Sequence, residues 1–260
     1  MPESLYQLNA LNDFLRLLVW TGQLADERPV SAIVIAPAGT GKTTLLESVK
    51  CEQAEFVGDL TSRPISTLVK GSDKITHILL GDMLSIFGHK TATVKLTMRL
   101  ISQMTGEKLL HDPFTGESIK PRSLGLITAI PPKDYAKEKK RIEDGGFLTR
   151  FIEIRYSYKT STIAAIHRWI QQNKYTEPVK PFFLAMPGQQ VITINKELSD
   201  EIKDFGLSLK HDPIGFRIHR HLRALVKASA RRNNLPVARH QDLEIVKSYC
   251  DFFSSQGREI

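Results

Sequence analysis

Hydrophobic positions in the first 160 residues form short runs rich in β-branched side chains, separated by stretches with helical periodicity. The clearest run covers residues 30–35 and is bounded by Pro29 and by the Pro-Ala-Gly segment at 37–39. A strand that is apolar at successive positions is buried on both faces, as in the middle of a parallel sheet. Further strands are predicted at 55–58, 75–80, 124–130 and 151–156. The alternation of strands and helices predicts an α/β fold on a parallel sheet.

Helical periodicity is clearest at the two ends of the chain. Near the N-terminus one helical face collects the apolar residues Leu8, Leu11, Leu15, Leu18 and Val19. Helices are also predicted at 43–50, 90–104, 160–172, 195–207, 215–232 and 240–253. Because strand patterns fade after residue 160, we predict an α/β domain over 1–175 and an all-helical domain over 176–260.

Composition narrows the class of protein. Hydrophobic residues make up 41% and charged residues 25% of the 260, as in ordinary globular proteins. No run approaches about 20 apolar residues, and no basic segment precedes an apolar one at the N-terminus, so neither a membrane partner nor secretion is expected. Cys51 and Cys250 are the only cysteines. They predict no disulfide framework and a cytoplasmic location.

A candidate phosphate loop follows the first predicted strand. Residues 36–44 match the Walker A pattern, except that Ala36 replaces its first glycine. Glycines let the backbone N–H groups surround phosphates, Lys42 reaches the terminal phosphates, and the Thr43 hydroxyl helps to hold Mg²⁺. The residues expected to bind the nucleotide are Pro37, Ala38, Gly39, Thr40, Gly41, Lys42, Thr43 and Thr44.

A second acidic element follows the strand at 75–80. Asp82 ends this apolar run, where a carboxylate near a phosphate loop can hold Mg²⁺. The next position, often a carboxylate that orients the attacking water, is Met83. Either hydrolysis is weak or another acid acts, and Asp59, after the neighbouring strand, is the candidate. Asp59 capping the following turn is the alternative.

In their order and spacing these motifs resemble the AAA+ ATPases, most closely the branch of the minichromosome-maintenance helicases and MoxR-type chaperones. A hairpin-like stretch (107–123) and a sensor-like strand (126–131) follow in the family's order. Ile130 stands where the family has a sensor asparagine, and Thr128 is the candidate substitute. The resemblance implies a parallel-sheet P-loop ATPase core, a C-terminal helical lid, ATP and Mg²⁺. It also implies a ring or filament of identical chains with ATP bound between subunits.

Two arginines match further motifs of that family. Arg150, in the segment 146–151, resembles the arginine finger that reaches a neighbouring subunit's nucleotide, although a surface salt bridge is the alternative. Arg217 opens a segment similar to the lid helix whose arginine contacts the γ-phosphate. The resemblance therefore implies a catalytic role for Arg150 with Lys42 and Asp82, and a nucleotide-binding role for Arg217.

The helix predicted at 215–232 carries a basic face. The net charge of the chain is +8, and residues 210–240 contain eight Lys or Arg but one acid, Asp212. The basic side chains that share a helical face are Arg220, Arg223, Lys227 and Arg231. Such a face predicts binding to a phosphate backbone, as in DNA, whereas the alternative is a solvated helix face.

Three functions remain open at this point. The first is an ATPase that acts on DNA or a nucleoprotein complex, as helicase loaders and transposition or replication accessory factors do, and the basic helix favours it. The second is a MoxR-type remodeller of proteins. The third is an ATP-switched oligomeric scaffold with little hydrolysis, which Met83 favours.

Overall fold

A computed structural model of the protein describes residues 8–60, 74–106, 110–111, 118–119, 123–144, 148–172, 182–184, 188–209, 217–253 and 257–260. The strands are β1 (Ser31–Ile35), β2 (Ala54–Val57), β3 (His77–Leu80), β4 (Leu110–His111), β5 (Ser118–Ile119), β6 (Gly125–Ile130), β7 (Phe151–Ser157) and β8 (Arg258–Glu259). The helices are α1 (Asn9–Trp20), α2 (Lys42–Glu47), α3 (Leu84–Phe87), α4 (Thr91–Gly106), α5 (Pro132–Asp144), α6 (Thr160–Gln171), α7 (Lys196–Ser208), α8 (Arg217–Arg232), α9 (His240–Lys247) and α10 (Cys250–Phe253).

Six strands form one parallel sheet in the order β2-β3-β6-β1-β7-β8. The predicted α/β fold is therefore confirmed, and the architecture is compatible with a P-loop or Rossmann-like core. Strand β1 lies in the interior of the sheet with every residue buried, as its largely apolar run predicted. Its last residue, Ile35, is level with Ile130 of β6 and Arg155 of β7.

The two faces of the sheet carry separate hydrophobic clusters, because successive side chains of a strand point to opposite faces. Ala32 and Val34 belong to a cluster that also contains residues of α1 and of the C-terminal helices. Ile33 and Ile35 belong to the other cluster, with residues of α4 and α5. The face that each helix covers is thus set by the alternation within β1.

The C-terminal helices share their core with the sheet and with α1. Phe14 of α1 packs its ring 5.1 Å from that of Tyr249 and 4.8 Å from that of Phe253, centroid to centroid. After α10 the chain returns to the sheet as β8, which pairs with the end of β7. The predicted division at residue 175 stays a prediction, and β8 was not predicted because two residues carry no pattern.

The sequence predicted the hairpin of β4 and β5 but not helix α5. Strands β4 and β5 pair antiparallel, which confirms the hairpin within 107–123, while the residues between the two strands lie outside the described part of the chain. Helix α5 was missed because it is highly polar. Its buried positions, Tyr135, Glu138 and Ile142, nevertheless fall at helical spacing after a proline at the first helical position.

Two expectations concern the chain as a whole. Within the described ranges, none of the helices combines the length and apolarity that crossing a membrane requires. Cys51 and Cys250 are both free thiols in the structure.

Candidate functional site

The candidate phosphate loop joins β1 to α2 at the carboxyl edge of the sheet. Gly39 and Gly41 have φ angles of 74° and 79°, in the left-handed region that side chains disfavour. No described atom lies within 4 Å of the position that a Cβ would take at Gly39. The loop therefore turns sharply on two glycines, and its outer side can be approached closely by a ligand.

Lys42 lies across the start of this loop. Its ammonium donates hydrogen bonds to the carbonyl oxygens of Ala36 at 2.8 Å and Pro37 at 2.6 Å. Burial lowers the pKa of Lys42, and the negative charge of Asp82 opposes that shift. Lys42 and Asp82 therefore lie near enough to interact electrostatically, although they are 40 residues apart in the chain.

Thr43 lies beside Gly81, the residue that directly precedes Asp82. The Thr43 side chain is exposed, and a Cβ at Gly81 would lie 3.8 Å from its methyl carbon. The exposed Asp82 carboxylate accepts a hydrogen bond of 2.9 Å from the Leu84 N–H at the start of α3. This bond closes the turn that leads into α3 and leaves the Asp82 carboxylate at the surface, where its oxygens are accessible.

Asp59 takes a different position from the one its predicted role requires. Strand β2 does pair with β3, so Asp59 follows the strand beside that of Asp82. However, β3 and β6 separate β2 from β1, which places Asp59 about 14 Å across the sheet from the end of β1. Its carboxylate lies instead 3.4 Å from the His89 imidazole, beside β2, the outermost strand of the sheet. The geometry does not support Asp59 as the group that orients water at the loop.

The two departures from the family motifs are both buried. Met83 is fully buried in the cluster beneath the carboxyl edge, and its N–H donates to the Ala129 carbonyl at 2.8 Å. Ile130 is also fully buried. The Thr128 hydroxyl is buried without a hydrogen-bond partner among the described residues, level with Ile33 and Leu80 inside the sheet. That position lies below the edge where a sensor side chain would meet a nucleotide.

Two tyrosines that sequence reasoning missed support the loop. The Tyr156 hydroxyl donates to the Thr40 carbonyl at 3.0 Å and accepts from the Thr40 hydroxyl at 3.3 Å. Burial raises the pKa of Tyr156 to about 12, so its hydroxyl stays protonated at neutral pH. Tyr158 makes a longer bond of 3.5 Å to the same carbonyl. The contacts of these tyrosines depend on the register of β7 against β1, which no local sequence pattern reveals.

Arg150 and Arg217 lie at the opposite, amino edge of the sheet. Arg150 directly precedes β7, whose first residue, Phe151, is level with the first residue of β1. Arg217 donates a hydrogen bond of 2.8 Å to the Thr149 hydroxyl. The length of β1, about 13 Å, therefore separates both arginines from the phosphate loop of the same chain. In this arrangement Arg217 does not contact the 36–44 loop of its own chain.

A cavity opens at this amino edge. Its volume is 190 Å³, and its lining includes the two candidate arginines together with others that the sequence did not single out. The basic residues that line it are Arg28, Arg150, Arg217, Arg220 and His221. Among the described lining residues Glu27 is the only acid.

Two of the four residues on the predicted basic face of α8 are internal, and a third is paired with an acid. Lys227 and Arg231 are each 5% exposed. Lys227 pairs with Asp26 at 2.5 Å and Glu27 at 3.0 Å, and Arg223 pairs with Glu27 at 2.7 Å. The balancing acids were overlooked because they lie about 200 residues earlier in the chain. Arg220 is exposed, and the side chain of Arg223 is 41% exposed although it is paired with Glu27.

The described residues contain one group with the spacing of a metal site away from the loop. One ligand atom each from Glu197, Glu201 and His240 falls within 4.8 Å of the others. All three side chains are exposed, and His240 pairs with Glu201 at 3.0 Å. The group is explained as a surface ion pair between α7 and α9.

No protein-family model and no curated protein matches this chain. The functional interpretation therefore rests on the arrangement of its own residues. Those residues form two separate constellations, with Lys42, Thr43 and Asp82 at the carboxyl edge of the sheet and the arginines at the amino edge.

Proposed function

We propose that the protein binds ATP with Mg²⁺ at the 36–44 loop and acts as an oligomeric ATPase of the AAA+ type. The observation that carries this proposal is the meeting of Lys42, Thr43 and Asp82 around a loop with two left-handed glycines. Each of these side chains has the chemistry that binding phosphate or Mg²⁺ requires at its position. Lys42 and Thr43 follow β1, whereas Asp82 follows β3. A glycine-rich turn formed by chance gives no reason for an acid from β3 to lie there.

Lys42, Thr43 and Asp82 have different roles in binding a triphosphate. The Lys42 ammonium exchanges its bonds to the loop carbonyls for the terminal phosphate oxygens. The Thr43 hydroxyl and the Asp82 carboxylate supply oxygen ligands for Mg²⁺, which neutralises charge on the phosphates. Tyr156 holds the Thr40 peptide and thereby keeps the loop in its binding conformation.

The position of Arg150 favours a site completed by a second copy of the chain. In a head-to-tail assembly, the amino edge of one subunit faces the carboxyl edge of the next. Arg150 would then approach the nucleotide of its neighbour, where a guanidinium stabilises charge developing on the transferred phosphoryl group. Arg217, on the same edge, would act on the neighbour's γ-phosphate rather than on that of its own chain.

The burial of Met83 favours a second candidate, an ATP-switched assembly with little hydrolysis. A carboxylate at this position would have to leave the core to reach a water beside the phosphates. With Asp59 at the far edge of the sheet, no described acid other than Asp82 is placed to orient that water. ATP would then drive assembly by binding, and turnover would be slow.

The molecule on which the proposed ATPase acts has to be inferred from surface charge. Action on DNA or a nucleoprotein complex is now supported by Arg220 and the net charge of +8, because Lys227 and Arg231 are buried and Arg223 is paired with Glu27. MoxR-type remodelling of a protein partner is the alternative without a basic surface. We keep the DNA-directed function as the proposal to be tested first.

The test is ATP binding and steady-state hydrolysis, each with and without DNA. Lys42→Ala should weaken ATP binding by at least about tenfold, since charged hydrogen bonds to phosphate are lost. Lys50→Ala, an exposed lysine just beyond α2, is the matched control and should bind ATP normally. Turnover that rises with DNA supports the DNA-directed ATPase, and tight binding without turnover supports the switch. Failure of the unmodified protein to bind ATP would overturn both.

A further inference from the structure

Four arginines from three parts of the chain converge on the cavity at the amino edge of the sheet, which we name the arginine cavity. Arg28 comes from the segment before β1, Arg150 from the turn before β7, and Arg217 and Arg220 from α8. We propose that the arginine cavity is a binding site for a phosphate-class oxyanion, held chiefly by Arg28, Arg217 and Arg220. With a free anion as the ligand this goes beyond the proposed function, because a single chain would bind the anion without its 36–44 loop, whereas a neighbour's triphosphate as the ligand rests on that function.

The charge in the cavity is poorly balanced by the described residues. Glu27 is the only acid among them in the lining, and it is already paired with Arg223 and Lys227. The pKa of Arg28 is lowered first by burial and then by the positive charges of Arg220 and Arg217. Gathering like charges in a partly buried space costs free energy, and a bound anion would recover it.

His221, which also lines this cavity, lies close to the same positively charged arginines. Burial, followed by the charges of Arg217 and Arg220, lowers the pKa of His221 to about 4. His221 is therefore neutral at pH 7 and adds no further charge. Its Nδ1 is buried and has no hydrogen-bond partner in the part of the chain that the structure describes. Buried polar atoms normally have a hydrogen-bond partner, which a ligand or water in the cavity would supply to this nitrogen.

The guanidinium groups are held in place but keep capacity for a ligand. Arg28 donates through Nη1 to the Gly106 carbonyl, and Arg217 donates through Nη1 to the Thr149 hydroxyl. Each guanidinium has five N–H donors, so these bonds fix its position without using all of them. Arg220 is exposed and makes no hydrogen bond or ion pair with a described residue. Such positioned donors suit a ligand that accepts several hydrogen bonds.

A tetrahedral phosphate group fits these donors in charge and geometry. Its oxygens accept paired N–H bonds from guanidinium groups, which arginine provides better than lysine. The volume of 190 Å³ holds several water-sized volumes and so has room for phosphate or pyrophosphate. Two sources present this chemistry: free phosphate or pyrophosphate, and the triphosphate on the loop of a neighbouring subunit.

The first arm of the test isolates the cavity from the phosphate loop. Inorganic pyrophosphate is titrated calorimetrically into the full-length Lys42→Ala protein, and then into the same protein carrying Arg220→Gln or Arg28→Gln. Saturable binding weakened at least about tenfold by either second change supports a free anion as the ligand. Arg168→Gln, an exposed arginine on α6, is the matched control and should bind pyrophosphate as the parent does.

The second arm tests the neighbour's triphosphate as the source. ATP-dependent assembly of the Lys42-intact protein is measured by light scattering, with and without Arg220→Gln. A loss of assembly with Arg220→Gln but not with Arg168→Gln supports the cavity as a phosphate receptor between subunits. Because Arg220 is exposed, its variant is expected to fold, which circular dichroism checks.

The cavity and the proposed function can fail separately. Pyrophosphate binding indifferent to Arg28→Gln and Arg220→Gln, together with assembly indifferent to Arg220→Gln, would overturn the oxyanion site, whatever the 36–44 loop does. Conversely, pyrophosphate binding that depends on Arg220 supports the cavity even in a protein that does not bind ATP.

Discussion

At the scale of single residues, Met83 has the clearest energetic consequence. It occupies the position after Asp82 where a glutamate often acts in related motifs, yet its side chain is fully buried. We expect Met83→Glu to lower the free energy of unfolding by about 2–4 kcal/mol, because a carboxylate would be buried without a partner. Urea unfolding measures this loss. ATP turnover measured beside it should not rise.

The matched control for this prediction is Met83→Leu, which keeps the size and apolar character of the side chain. Its unfolding free energy should change by less than about 1.5 kcal/mol. A Met83→Glu protein that is as stable as its parent and hydrolyses ATP faster would show that this position can face the nucleotide after all.

The sequence predicted the positions of residues within the 36–44 loop better than those of residues that pack around it. Lys42 and Thr43 are fixed relative to Gly39 and Gly41 by a local motif, so spacing alone predicted their shared site. Tyr156 meets Thr40 only because β7 pairs with β1 in a particular register. Strand order and register depend on contacts across more than a hundred residues, and no local pattern contains them.

At the scale of elements, the same limit explains the basic face of α8. Helical periodicity correctly placed Arg223 and Lys227 on one side of the helix. What the sequence could not show is that Asp26 and Glu27 lie opposite, in the segment that leads from α1 to β1. A charge pattern on a helix predicts a face, and tertiary packing decides whether that face meets solvent.

A substitution in α8 distinguishes an internal ion-pair network from a surface for DNA. Lys227→Met removes a buried ammonium that serves two carboxylates, so the unfolding free energy should fall by about 3 kcal/mol. DNA affinity of the folded protein, measured by fluorescence anisotropy, should not change. Lys203→Met, at an exposed site on α7, should alter stability by less than about 0.5 kcal/mol. A Lys227→Met protein of normal stability with weakened DNA binding would contradict the network.

At the scale of the whole molecule, the parallel sheet separates the two halves of the proposed catalytic site. All six strands run in one direction, so the phosphate loop and Arg150 lie at opposite edges. One chain cannot bring them together without unfolding β1 or β7. Two chains can, provided that they associate through unlike surfaces, and such contacts generate rings or filaments.

Mixing two inactive proteins tests this arrangement directly. Lys42→Ala should remove the loop function and Arg150→Ala the function of the facing edge, so each protein alone should hydrolyse ATP poorly. In a 1:1 mixture, random association gives about a quarter of the interfaces an intact loop facing an intact Arg150. Turnover by the mixture should therefore recover toward about a quarter of the unmodified rate.

The control is a mixture of Arg150→Ala with the double variant Lys42→Ala/Arg150→Ala. No interface in that mixture can contain Arg150, so its turnover should stay at the level of the separate proteins. If the first mixture also stays at that level although both proteins co-assemble, Arg150 does not act across the interface. The two edges of the sheet would then have unrelated roles, and the arginine cavity would be a separate oxyanion site rather than the receptor for a neighbour's nucleotide.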